Sequence, residues 1–344
     1  MKPRLCFRLC PSIRACFYFT LFIATIHYVT GCATAKRPPA KGRDAAVDSY
    51  VQGVLAYNQG NRDKAIAELQ QATRQHDELI MAHSLLGDLY QSKQDYPKAL
   101  AQYEATIRLD PYSYRNHYNE GLMYQMLNRV QEAIASYLRA LQLNPKDFNS
   151  NLNLAAAYLA LNQPDDAAKY AKRAVDLNDQ SAAAWSNLAV ALDGQQKYKE
   201  AEPAYRRALE LDPGHVEIAV ALAENLMHQQ RFAEARSVMD QVVRAQDTPA
   251  HRKRLGDTLF LEKKYDESLG EYAKALRLDP RFYPALNETG WVLITEYNQS
   301  LGLEEDKRKA ALNAWRQSLL INANQPRIAQ LMATYAEKFS NDSR

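Results

Sequence analysis

Three asparagines recur at one spacing, Asn119, Asn153 and Asn187, each 34 residues after the last. An asparagine side chain carries a donor and an acceptor, so a row of them can pair with peptide groups whatever side chains the peptide bears. The other concentration of polar chemistry is the basic run His251, Arg252, Lys253 and Arg254, with Asp257 one helical turn after Lys253. Lys253 and Arg254 could receive a carboxylate or an acidic segment, or form a solvated face partly neutralised by Asp257 and Glu262. His83 and His117 are also 34 apart; without further ligands such a pair serves better as packing rings than as a metal site. The chain has no glycine-rich phosphate loop, no GxSxG, no HExxH and no paired cysteines in its body. No catalytic residue, metal ligand or cofactor is therefore assigned, and an enzyme is not expected.

These residues must be positioned by helices. In the stretch 182–214, Trp185, Leu188, Ala189 and Leu192 fall on one face of a first helix, and Gly194, Gln195 and Gln196 mark a turn. Ala201, Tyr205, Ala208 and Leu209 form the inner face of a second helix, which Asp212-Pro213-Gly214 stops. Neither helix can bury its stripe alone, so the unit must stack on copies of itself. The copies recur every 34 residues: Pro111, Pro145, Asp179, Pro213 and Asp247 mark the frame, and Pro280 follows after 33. The eighth place of each unit is small (Gly87, Gly121, Ala155, Ala189, Ala223, Gly256), where only a small residue lets two helices touch. Ala65, Ala99, Ala133, Ala167, Ala201 and Ala235 open the second inner faces, and Leu69, Tyr103, Tyr137, Tyr205, Met239 and Tyr272 fill them.

This pattern resembles the tetratricopeptide repeat family, a 34-residue helix-turn-helix with Trp, Leu-Gly, Tyr, Ala, Phe and Pro at these spacings. The resemblance implies an all-α, right-handed superhelical solenoid with first helices on the concave face and second helices on the convex one. About eight units are expected, at 46–79, 80–113, 114–147, 148–181, 182–215, 216–248, 249–282 and 283–325, the last stretched by about nine residues around Asn298–Glu304. Pro203 inside a second helix predicts a kink or a lost hydrogen bond. A capping helix follows from Pro326, with Ile328, Leu331, Met332 and Tyr335 turned inward, before the tail to Arg344. Asn119, Asn153 and Asn187 occupy the sixth place and resemble the asparagine ladder in the repeat region of O-GlcNAc transferase. Trp185-Ser186-Asn187-Leu188 is the closest stretch, and no transferase domain follows. By that resemblance, Asn119, Asn153 and Asn187, with Tyr118 beside them, bind an extended peptide. The alternative is that the asparagines bond neighbouring helices and solvate the face. The family's chaperone-binding carboxylate clamp needs Lys and Asn in the fifth and ninth places; Tyr50/Val54, Ser84/Asp88 and Tyr118/Leu122 do not supply them.

The first 32 residues are of another kind. Lys2, Arg4, Arg8 and Arg14 precede an apolar run from Ala15 to Val29, with no acidic residue before Asp44. A basic start, a short apolar core and small residues make a secretion signal rather than a membrane span. Val29-Thr30-Gly31-Cys32 resembles the bacterial lipobox, which implies removal of residues 1–31 and a diacylated Cys32. Ala33 after the cysteine implies sorting to the outer membrane, facing the periplasm. Cleavage would leave Cys32 as the sole cysteine, so the fold carries no disulfide. The chain is +3 overall, and losing four basic signal residues leaves −1, which gives no case for nucleic acid. Residues 32–45 read as the lipidated cysteine and a solvated tether. The expectation is a non-enzymatic scaffold, anchored through Cys32, that binds protein segments in its groove for an envelope, secretion or pilus machine; homo-oligomers through exposed end units stay open. The alternative is a glycan-binding or synthase-associated component of polysaccharide export, which would call for more stacked aromatics than Tyr118, Phe260 and Trp291.

Overall fold

The structure, a computed structural model, describes residues 41–341. The signal segment 1–31, Cys32, residues 33–40 and the last three residues of the chain lie outside the described residues. All regular structure among the described residues is helical, in seventeen helices. They pair as α1 (Lys41–Asn58) with α2 (Arg62–Gln75), α3 (Ile80–Ser92) with α4 (Tyr96–Leu109), α5 (Tyr114–Met126) with α6 (Val130–Leu143), and α7 (Phe148–Ala160) with α8 (Pro164–Leu177). The series continues with α9 (Ala182–Gly194) and α10 (Tyr198–Leu211), α11 (Val216–His228) and α12 (Phe232–Ala245), α13 (Pro249–Leu261) and α14 (Tyr265–Leu278), and α15 (Tyr283–Gln299) and α16 (Glu305–Ile321). A last helix, α17 (Pro326–Asn341), closes the stack.

Two kinds of turn set the geometry. Between first and second helix the chain passes through the left-handed region at Gly60 (φ 77°), Gln94 (60°), Asn128 (58°), Asn162 (54°), Gln196 (62°), Gln230 (61°) and Lys263 (64°). Only the first of these is glycine; the rest hold an L residue where its Cβ is unfavourable. Between second and next first helix, an Asx side chain accepts from the amide two residues on. Asp110 accepts from Tyr112, Asn144 from Lys146, Asn178 from Gln180 and Asp279 from Arg281, at 2.9–3.2 Å.

Inside each unit the helices cross where the eighth place is small. A Cβ on Gly87 would lie 2.7 Å from the ring of Tyr103, one on Gly121 2.7 Å from that of Tyr137, and one on Gly53 2.7 Å from Leu69. Gly256 and Gly290 are packed as closely under Tyr272 and Trp315. These large side chains are almost wholly buried and form the spine of the core. Successive first helices touch side by side, α5 with α7, α7 with α9, α9 with α11 and α13 with α15. The more closely spaced layer lies inside the curve, so first helices line the concave face.

Two expectations need adjustment and a third is narrowed. Residues 41–45, read as tether, form the first turn of α1, which begins at Lys41. Of the two outcomes expected at Pro203, the lost hydrogen bond is the one found: α10 runs unbroken through it, and the missing N–H leaves the Lys199 carbonyl without its helical partner. The stretch in the last unit is spread over the whole hairpin, since α15 and α16 have 17 residues each, against 13 and 14 in α13 and α14. Helix α17 covers the end of the core: Ile328 is buried, and Leu331, Met332 and Tyr335 pack on the Ile294–Trp315 cluster. No helix among the described residues is long and apolar enough to cross a membrane.

Candidate functional site

The sixth-place residues stand on the first helices that line the concave face. Asn119, Asn153 and Asn187 lie on α5, α7 and α9, all partly exposed. Asn187 donates from its amide nitrogen to the Leu152 carbonyl at 3.2 Å, and Asn153 to the Tyr118 hydroxyl at 3.4 Å. Both bonds reach back 35 residues, to the fifth place of the preceding unit. Asn119 makes no side-chain hydrogen bond among the described residues, and the side-chain oxygens of all three accept none. The amide nitrogens of two thus tie neighbouring helices together, and among the described residues the three side-chain oxygens are left unpaired.

Tyr118 sits against Tyr137, ring centroids 6.0 Å apart and planes tilted by 39°. Burial raises its phenol above the ordinary tyrosine value, opposed by the Asn153 amide that donates to it. The hydroxyl therefore stays protonated, a neutral group with one hydrogen to offer at any physiological pH.

Further along, the basic run is engaged within the chain. Lys253 Nζ lies 2.7 Å from Asp257 Oδ2 and 3.5 Å from Glu288 Oε1. Burial pulls the ammonium down, but those two carboxylates outweigh it and leave Lys253 raised. Burial pushes Glu288 up against the pull of Lys253. Arg254 pairs with Glu224 of α11. Arg252 clasps Asp247 and Glu271 at 2.8 Å each, and Glu262 serves Arg236 and Lys264 instead of this run. A partner's carboxylate at Lys253 or Arg254 would have to displace an existing pair. Glu224 escaped the sequence reading because its partner is in the next unit, a neighbour set by the stacking.

The histidines at the fourth place have a structural task. His83 Nε2 lies 2.9 Å from the Asp77 carbonyl and His117 Nε2 3.1 Å from that of Pro111. Trp185 Nε1 donates to the Asp179 carbonyl at 2.9 Å, the same bond in a later unit. Among the described residues no group of His, Cys, Asp and Glu is arranged to hold a metal ion. The aromatics weighed for glycan stacking are also occupied. Trp291 meets Trp315 edge-on with centroids 6.1 Å apart and lies under the Arg327 guanidinium at 5.4 Å, and Phe260 packs on Tyr265 at 5.7 Å.

Comparison with known proteins follows the same frame. One family model, described as a tetratricopeptide repeat, matches residues 84–148 and 152–216, and a second of the same description matches 194–255. A search of curated proteins gave no match. Among solved structures, a tetratricopeptide repeat protein from Parabacteroides merdae ATCC 43184 is 15% identical with a TM-score of 0.52, over 69% of this chain and 94% of that one. YrrB, described as a TPR protein with an unusual peptide-binding site, is 22% identical with a TM-score of 0.50, over 57% of this chain and 97% of its own. The pilF protein of Pseudomonas aeruginosa is 23% identical with a TM-score of 0.49, over 60% and 94%.

Proposed function

We propose that this chain, which is built of tetratricopeptide repeats, is a non-enzymatic scaffold that binds an extended protein segment in its concave groove. The observation that carries the reading is the row Asn119, Asn153 and Asn187, whose side-chain oxygens accept nothing among the described residues while two of the amide nitrogens are anchored. Adjacent helices lie about 9–10 Å apart and an extended peptide advances about 3.3 Å per residue. A bound segment would meet one asparagine roughly every third residue, and a backbone with three residues per turn would present the same edge to each. Tyr118 adds a hydroxyl and a ring face at the same end. Lys253 and Arg254 form the second, weaker part of the site, because their charges are already paired.

The reading extends to location. Cys32 carries the lipid, residues 33–40 link it to α1, and the solenoid faces the periplasm from the outer membrane as an adaptor for an envelope, secretion or pilus assembly. The basic start, short apolar core and Val29-Thr30-Gly31-Cys32 support this. Metabolic labelling with radioactive palmitate tests it: label on the wild-type chain and none on Cys32→Ser supports the anchor, and equal label contradicts it. The binding reading is tested by capture from envelope extract, comparing residues 33–344 with the triple Asn119, Asn153, Asn187→Ala variant. Loss of a partner while the variant stays folded at the capture temperature supports the groove; equal capture by both sinks it.

A further inference from the structure

In four consecutive units the fourth place of the repeat has one chemistry, and the unit after them breaks it. His83, His117, Asn151 and Trp185 each place a side-chain nitrogen 2.9–3.3 Å from the carbonyl six residues earlier, those of Asp77, Pro111, Pro145 and Asp179. In the next unit that place is Ala219, and the corresponding carbonyl belongs to Pro213. Among the described residues nothing donates to it. Where the missing side chain would lie, a cleft of about 560 Å³ opens between α10, α11 and α12. Its apolar walls are Leu209, Ala219, Leu222, Val238 and Val242.

The preceding unit shows what such a space holds. Trp185 packs on Ala174 and Val175 of α8, and the residues 34 further on are Ala208 and Leu209, the latter a wall of the cleft. The fold thus already seats one indole, borne on a polypeptide, against this kind of surface with its N–H on the turn carbonyl. We propose that the cleft receives the tryptophan side chain of a partner polypeptide, its indole N–H donating to the Pro213 carbonyl. An indole is the largest apolar side chain that also carries a donor, which suits deep apolar walls ending at an unserved acceptor. Arg206 and Glu234 also line the cleft and pair with each other at 3.6 Å, a polar edge beside the apolar walls. The cleft opens between second helices, the layer opposite the asparagine row, so the two sites can be occupied together and this inference does not rest on the groove reading.

The test is a titration of residues 33–344 with N-acetyl-L-tryptophanamide at millimolar concentrations, followed through the methyl NMR signals of Leu209, Val238 and Val242. We expect saturable shifts confined to those methyl groups. Methylation of the indole nitrogen should weaken binding about three- to tenfold, the worth of one such hydrogen bond. Ala219→Trp should abolish the shifts by filling the cleft; should that variant fold poorly, Val238→Gln, at the partly exposed wall, should weaken binding severalfold. The triple asparagine variant should titrate like the wild type. No saturation, shifts centred elsewhere, or equal binding of the N-methylated probe would overturn the proposal.

Discussion

Asn225 illustrates how single residues hold one unit to the next. It is wholly buried at a place where Leu89, Met123, Ala157 and Ala191 stand in earlier units. Its amide nitrogen donates to Asp193 at 2.5 Å and to the Tyr198 carbonyl at 3.1 Å, and its oxygen accepts from Gln229 at 2.8 Å. Asn225→Ala would strip three partners in a site closed to water, so a loss of about 2–3 kcal/mol is expected from urea unfolding. Gly87 makes the opposite argument. A methyl group there would be driven 2.7 Å from Tyr103, so Gly87→Ala should destabilise by about 1–3 kcal/mol despite the better helix propensity of alanine.

At the scale of elements, the turns and the ion pairs between second helices set the balance. Gln196 holds φ at 62°, and Gln196→Gly should stabilise the chain by about 0.5–1 kcal/mol, because relief of the left-handed penalty exceeds the added chain entropy. Loss of stability in the melt would contradict that. Glu202 bonds Arg206 within α10 and joins α10 to the turn between α11 and α12 through Arg231 and Gln229. Burial works to raise its carboxyl, but those donors prevail and hold it below the ordinary glutamate value. A carboxylate depressed in the fold contributes stability that is present above its unfolded value, about 4.3, and lost as pH falls through the lower folded one. Glu202→Gln should therefore lower the melting temperature at pH 7, with the deficit closing as pH drops below about 4. A deficit that stays constant down to pH 3 would contradict it. The alternation of small and large residues, from Gly87 and Tyr103 to Gly256 and Tyr272, could be read from the sequence because a 34-residue period makes packing partners recur. The Arg254–Glu224 and Lys253–Glu288 pairs could not, since they depend on how far one unit is rotated on the next. The helical start at Lys41 was hidden by a composition of small and charged residues that suits a linker as well as a first helical turn.

The whole molecule is a stack in which each unit contacts its neighbours, so damage should stay local. Removal of residues 326–344 exposes Trp315 and Ile294. Hydrogen exchange should then speed up in α15 and α16 while α1 to α4 keep their protection; uniform loss would show a single cooperative unit instead. The same architecture gives the central claim its form, a groove built by repetition of one polar place on three consecutive first helices. It is tested most directly by selecting binders to residues 33–344 from a displayed library of random peptides and measuring the affinity of one for the wild type and for the triple Asn119, Asn153, Asn187→Ala variant. Three lost hydrogen bonds of about 0.5–1.5 kcal/mol each predict a dissociation constant raised at least tenfold, with the melting temperature lowered only by the loss of the two inter-helix bonds of Asn153 and Asn187. Equal affinity for both proteins would contradict the account and move peptide recognition away from the asparagine row.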